Sequence, residues 1–156
     1  MITGNYLNWV TSVTFANNKV VDSVNFVSAS LNQLVVTVPE DAQTGTLKLT
    51  YGGTEPLEVE TEEALVVTMP VITSLSPNPA VKHQTNLTIN GTDLDLVEEV
   101  RFEGVTEPVT EFVSQSATQL VVTVPASTKK GKVTLVVPSG LTAQSAIELA
   151  VILPEL

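Results

Sequence analysis

The side chains best suited to chemistry in this sequence are its few aromatics. Trp9 is the one tryptophan, and Tyr6 and Tyr51 are the two tyrosines. Aromatic faces stack on sugar rings, which makes Tyr6, Trp9 and Tyr51 candidate ligand-binding residues with polysaccharide as the partner. A competing reading makes Trp9 a packing residue that caps a sandwich or fills the place of a missing strand. In a second copy of this stretch, described below, the positions of Tyr6 and Trp9 are held by Asp93 and Leu96. Leucine at the counterpart of Trp9 argues for the packing role. Tyr51 stands beside Gly52-Gly53, and nothing in the sequence places it near Trp9.

Other chemistry is thinly represented. Asp93, Asp95, Glu98 and Glu99 offer oxygen ligands, but they lack the regular ladder and turn glycine of a calcium loop, and a solvated acidic corner is the expectation. The other copy reads Asn5-Tyr-Leu-Asn8 at this corner and loses the charges. His83 is the lone histidine, so no triad forms around it and a surface-loop position is expected. The chain has no cysteine, which removes thiol catalysis and Cys-based zinc sites. Asn86-Leu-Thr88 and Asn90-Gly-Thr92 match the glycosylation sequon. Nothing in this inventory calls for a cofactor or a metal, and no catalytic constellation emerges; the expectation is a protein that is not an enzyme.

Composition narrows the partners. Formal charge is −10, with 7 Lys and Arg against 17 Asp and Glu. The few cations are unclustered, so the phosphate-neutralising surface that nucleic acid requires is missing. Neutral ligands and proteins stay open. The longest apolar run, Leu149-Ala-Val-Ile-Leu153, is far too short to cross a bilayer as a helix.

The elements that must position these residues are strands. Leu-Val-Val-Thr-Val, Leu-Lys-Leu-Thr-Tyr and Val-Thr-Leu-Val-Val are rich in β-branched residues, with Pro and Gly at short intervals. The one candidate helical turn falls near Asp93–Glu98. The chain also repeats itself. Phe26 to Pro39 and Phe112 to Pro125 differ only at Ala29/Gln115, Leu31/Ala117 and Asn32/Thr118. Upstream, Gly4 pairs with Gly91, Leu7 with Leu94, Val13 with Val100 and Phe15 with Phe102; downstream, Gly45 to Leu49 pairs with Gly131 to Leu135. Such spacing is too long for a solenoid and fits a small domain in tandem, with residues 1–69 and 70–156 as the two domains.

The second copy reads as seven short strands. They are an edge strand at Pro70–Pro77, then Asn86–Asn90, Val97–Phe102, Glu107–Ser114, Gln119–Val124, Gly131–Val137 and Ala146–Ile152. Turn signals between them make an immunoglobulin-like sandwich. Ile2-Thr-Gly4 aligns with Ile89-Asn-Gly91, so the first copy lacks its N-terminal strand or strands. The open edge is an invitation to pair with another chain, and a homodimer through it is one expected partner. Pro154-Glu-Leu156 aligns with Pro70-Val-Ile72, so the sequence reads as a fragment of a longer array whose neighbouring domains are partners too. Met69-Pro70-Val71 leaves almost no linker, so the sandwiches should sit end to end as a stiff spacer. Thr54 to Glu63 is an acidic insertion expected to form a solvated hairpin, with a protein-docking loop as the alternative.

Pro70-Val-Ile-Thr-Ser-Leu-Ser-Pro-Asn-Pro-Ala80, Leu87-Thr-Ile-Asn-Gly-Thr-Asp-Leu94, Leu120-Val-Val-Thr-Val-Pro125 and Gly131-Lys-Val-Thr-Leu135 together resemble the IPT/TIG family of immunoglobulin-like domains. The glycine usual in the turn after the Ser-Pro motif is replaced here by Lys82-His-Gln-Thr85. The duplicated phrase looks most like tandem copies in surface lipoproteins of Bacteroidetes-type bacteria. The resemblance implies an all-β fold of two tandem immunoglobulin-like sandwiches. It also implies a non-catalytic spacer at the extracellular face of the outer membrane, within a glycan-binding and uptake system. A carbohydrate-binding module using exposed aromatics, and a protein–protein interaction or dimerisation module, are the alternatives.

Overall fold

The computed structural model describes residues 1–79 and 81–152. Ala80 and residues 153–156, including the restart of the motif expected at Pro154–Leu156, lie outside the described residues. The chain divides into two compact units, Met1–Val67 and Thr68–Leu156, each with its own core.

Unit 2 shows how the sequence pattern becomes a sandwich. Its seven strands are β8 (Val71–Ser76), β9 (Asn86–Thr92), β10 (Glu99–Arg101), β11 (Ser114–Gln115), β12 (Gln119–Thr123), β13 (Thr134–Val136) and β14 (Thr142–Gln144). They form two antiparallel sheets, β11-β12-β9-β8 and β10-β13-β14. Successive side chains on a strand point to opposite faces. On β9 that sends Leu87 and Ile89 inward, and on β12 Leu120 and Val122, while Gln119 and Thr123 face solvent. Val100 of β10 and Leu135 of β13 meet them from the other sheet. Each such fully buried aliphatic side chain contributes roughly 1.5–3 kcal/mol, which lets a cysteine-free domain hold together. As expected, β8 is an edge strand.

The expected closing strand at Ala146–Ile152 is replaced. The regular strand is β14, and the later segment makes only isolated bridges, Gly131 to Leu149 and Val81 to Val151. The cause is the buried Ser145 hydroxyl. It accepts the Val133 N–H at 3.0 Å and donates to the Ile147 carbonyl at 2.6 Å, so a side chain takes over where ladder bonds would run. Unit 1 does the same with Thr61, which accepts the Leu47 N–H at 3.0 Å and donates to the Glu63 carbonyl at 2.8 Å.

Unit 1 has β1 (Ile2–Thr3), β2 (Val10–Thr14), β3 (Val20–Asp22), β4 (Ser28–Ala29), β5 (Gln33–Val35), β6 (Lys48–Tyr51) and β7 (Leu57–Glu60). Its sheets are β1-β5-β4 and β3-β2-β6-β7. The first matches β9-β12-β11 of unit 2, with no counterpart of β8 among the described residues. Leu7, Val13, Phe15, Leu34 and Leu49 fill its core. The acidic insertion is a hairpin arm: β7 is exposed throughout, and Lys48 lies 3.7 Å from Glu58 and 3.9 Å from Glu60.

Candidate functional site

The corner between β1 and β2 carries the aromatic pair. The chain leaves β1 at Gly4, whose N–H donates to the Asn32 carbonyl at 3.1 Å, and Leu7 N–H donates to the Leu31 carbonyl at 2.9 Å. Between these anchors Tyr6 adopts left-handed backbone, φ 59° and ψ 28°, and Leu7–Trp9 forms one 3₁₀ turn. That turn buries Leu7 and throws Tyr6 and Trp9 outward. Their rings stack with centroids 4.8 Å apart and an interplanar angle of 22°. Both are more than half exposed, Tyr6 at 57% and Trp9 at 58%.

Trp9 therefore neither caps the sandwich nor packs in the place of the missing strand. The comparison with Leu96 misled because Leu96 is itself 40% exposed. The side chain that this turn buries is the first leucine of each copy, Leu7 or Leu94, because a single 3₁₀ turn presents one face to the core. Tyr51 ends β6 directly opposite Val10, the residue after Trp9, so antiparallel pairing brings together two positions far apart in sequence. It is half-buried, and among the described residues the one stacked ring pair is Tyr6–Trp9.

The remaining candidates have structural work. His83 is half-buried and its Nε2 donates to the Thr128 carbonyl at 2.8 Å, fastening the loop before β9 to the loop after β12. It is more enclosed than a surface-loop position implied. Asp93 occupies left-handed backbone at φ 53°, as the N-terminal residue of the 3₁₀ turn Leu94–Leu96 near the expected place. Among the described residues no three carboxylate or imidazole groups converge as metal ligands. Asn90 accepts from Gln119 Nε2 at 3.2 Å and donates to Ser74 Oγ at 3.1 Å, tying three strands of one sheet. Sequence reasoning passed over Gln115. Its amide donates to the Leu94 and Val97 carbonyls, at 2.9 and 2.8 Å, and clamps the corner of unit 2. Its replacement by Ala29 in the other copy was the available signal.

Fold and corner together define an immunoglobulin-like β-sandwich built twice in one chain. The model of the IPT/TIG domain family matches residues 70–149, just over half of the chain, and the chain belongs to that family. No curated protein matches it in sequence. Among solved structures it is similar to SGBP-B of the Bacteroides ovatus mixed-linkage glucan utilization locus, in complex with a mixed-linkage heptasaccharide. That likeness has 19% identity and a TM-score of 0.46, over 96% of this chain and 40% of that one. It is also similar to the surface glycan-binding protein PbSGBP-B from Prevotella bryantii, with 15% identity and a TM-score of 0.49, over 94% of this chain and 35% of that one. A third is SGBP-B from a complex xyloglucan utilization locus in Bacteroides uniformis, with 17% identity and a TM-score of 0.42, over 92% and 42%. The chain thus spans about two fifths of the length of these structures.

Proposed function

We propose that this chain is a non-catalytic spacer in a bacterial cell-surface protein, part of a glycan-binding and uptake system at the extracellular face of the outer membrane. The connector carries this reading. A hydrogen bond from Val67 N–H to Thr44 Oγ1 at 2.9 Å closes unit 1, and β8 begins at Val71. Thr68, Met69 and Pro70 are all that lies between two self-contained cores. Three residues reach about 10 Å at most, and proline fixes one of the backbone angles. Membership of the IPT/TIG family supports a structural module, and the duplicated phrase, which resembles that of surface lipoproteins, supports the location. The partners are then neighbouring domains of a longer chain.

Because the chain has no cysteine, one spin label can be set on each unit through Val24→Cys and Ile147→Cys, both at exposed positions. The expected result is a narrow distance distribution by pulsed electron resonance that broadens when a flexible Gly-Ser segment is inserted after Thr68. A distribution already broad in the native chain removes the spacer role.

A further inference from the structure

The two units build the same corner with the same backbone and decorate it oppositely. Gly91 N–H donates to Thr118 at 3.0 Å and Leu94 N–H to Ala117 at 3.0 Å, as Gly4 and Leu7 do to Asn32 and Leu31. Both corners place a non-glycine residue in left-handed backbone, followed by one 3₁₀ turn with a buried leucine. The fold therefore needs neither aromatic, since unit 2 makes the turn with Asp93 and Leu96. Left-handed backbone suits a short polar side chain that can bond locally, as Asp does; a bulky tyrosine there is strained. Unit 1 carries that strain and leaves two large rings exposed, a combination that marks a site rather than a packing solution.

The surroundings identify the ligand chemistry. Between Met1 and Pro39 the only charged side chains are Lys19 and Asp22, in a chain of net charge −10. Exposed amides flank the rings: Asn5 and Asn8 on the turn, and Asn32, whose Nδ2 donates to Asn5 Oδ1 at 3.1 Å and to the Gly4 carbonyl at 3.3 Å. The same corner of unit 2 bears Asp93, Asp95, Glu98 and Glu99. A ring face bordered by neutral donors and acceptors matches a sugar, whose C–H face is apolar and whose hydroxyls need uncharged hydrogen-bonding partners. An anionic ligand would lose hydration here and meet a chain of net charge −10. A protein partner usually covers about 800 Å² on each side, far more than two rings on one turn supply.

We infer that the corner of unit 1 is a binding site for neutral polysaccharide. Tyr6 and Trp9 stack on a pyranose ring, and Asn5 and Asn8 bond its hydroxyls. This goes beyond the spacer role and does not depend on it, since the distance measurement addresses the connector and the following one addresses the corner. The full chain is run through native gels containing mixed-linkage β-glucan, hydroxyethyl cellulose or galactomannan, with carboxymethyl cellulose as the anionic control. Retardation is expected on at least one neutral gel and not on the anionic one. It should vanish in the double variant Tyr6→Asp/Trp9→Leu, which carries the residues unit 2 uses and whose fold is checked by circular dichroism. Trp9 is the one tryptophan, so its quenching by acrylamide should fall about twofold when that polysaccharide covers the ring. The quenching result and Asn8→Ala decide the matter if the double variant does not fold. No retardation on any neutral gel, or equal retardation of the variant, overturns the inference. So does self-association in sedimentation that the double variant abolishes without any glycan effect, which would make the pair a contact between copies.

Discussion

Units 1 and 2 share eleven of fourteen residues in their duplicated stretch yet differ in how much of it they bury. In unit 2, Leu120, Val122 and Val124 are all fully buried. Val124 is also bonded on both sides, its N–H to the Thr85 carbonyl at 2.9 Å and its carbonyl to Gln84 N–H at 2.7 Å. In unit 1 the same three positions grade from buried Leu34 through half-buried Val36 to exposed Val38. Identical residues have different environments because unit 2 adds β8 and the segment from Val81 to Thr85, which has no counterpart in unit 1. One strand and its following turn thus decide whether a repeated pattern is core or surface. Burial belongs to the neighbours as much as to the residue.

The sharpest way to break this comparison is at the paired glycines. A Cβ on Gly91 would collide with the Val71 carbonyl oxygen of β8, whereas one on Gly4 would meet nothing nearer than Leu7 Cδ2 at 3.5 Å. Gly91→Ala should cost about 3 kcal/mol or more by forcing β8 away, and Gly4→Ala less than about 0.5 kcal/mol. Urea unfolding followed by circular dichroism checks both. Both tyrosines and the tryptophan lie in unit 1, so fluorescence follows that unit separately. Equal losses at the two glycines would mean that β8 does not set the requirement.

Next come the valines that the missing strand uncovers. Val124→Ala should cost about 2 kcal/mol, as expected for emptying a fully buried site, and Val38→Ala less than about 0.5 kcal/mol. The difference is read as a shift in denaturation midpoint, and comparable midpoints would contradict the burial contrast. Gln115→Ala should follow at about 1–2 kcal/mol, because it leaves the Leu94 and Val97 carbonyls without their amide donor. Faster hydrogen exchange confined to the corner residues 93–98 is the accompanying signature.

The smallest effect has the opposite sign. Tyr6→Asp should stabilise unit 1 by up to about 1 kcal/mol, since it puts into left-handed backbone the residue that unit 2 already uses there. Asp93→Tyr should lose a similar amount in unit 2. A Tyr6→Asp variant less stable than the parent chain would show that ring stacking outweighs the backbone strain.

Much of this molecule was legible in its residues. The duplication located both cores, since inward and outward positions alternate along a strand and Leu-Val-Val-Thr-Val carries that alternation in plain view. The edge strand at Pro70–Pro77 and the 3₁₀ turn near Asp93 followed from proline's missing donor and from turn-forming residues, whereas the turns at Leu7–Trp9 and Ser23–Asn25 were not anticipated. The closing strand of unit 2 was misplaced because Ser145 looks like an ordinary polar residue. That its hydroxyl replaces a ladder bond depends on what faces it across the sheet. His83 and Gln115 were likewise underread, as each acts on carbonyls more than fifteen residues away in sequence.

The candidate site divides the same way. Its ingredients, Tyr6, Trp9 and a counterpart turn without aromatics, were visible by aligning the chain with itself. The outward direction of the rings, their stacking and the left-handed backbone beneath Tyr6 were not. Those follow from the one turn that joins β1 to β2, in which the core claims Leu7 and leaves its neighbours to solvent. The sequence determined two sandwiches, because the alternation of apolar and polar residues is a local property of the chain. Only the tertiary structure decided that Trp9 faces solvent and that Tyr51 lies across from its neighbour, because exposure and proximity are set by residues distant in the chain.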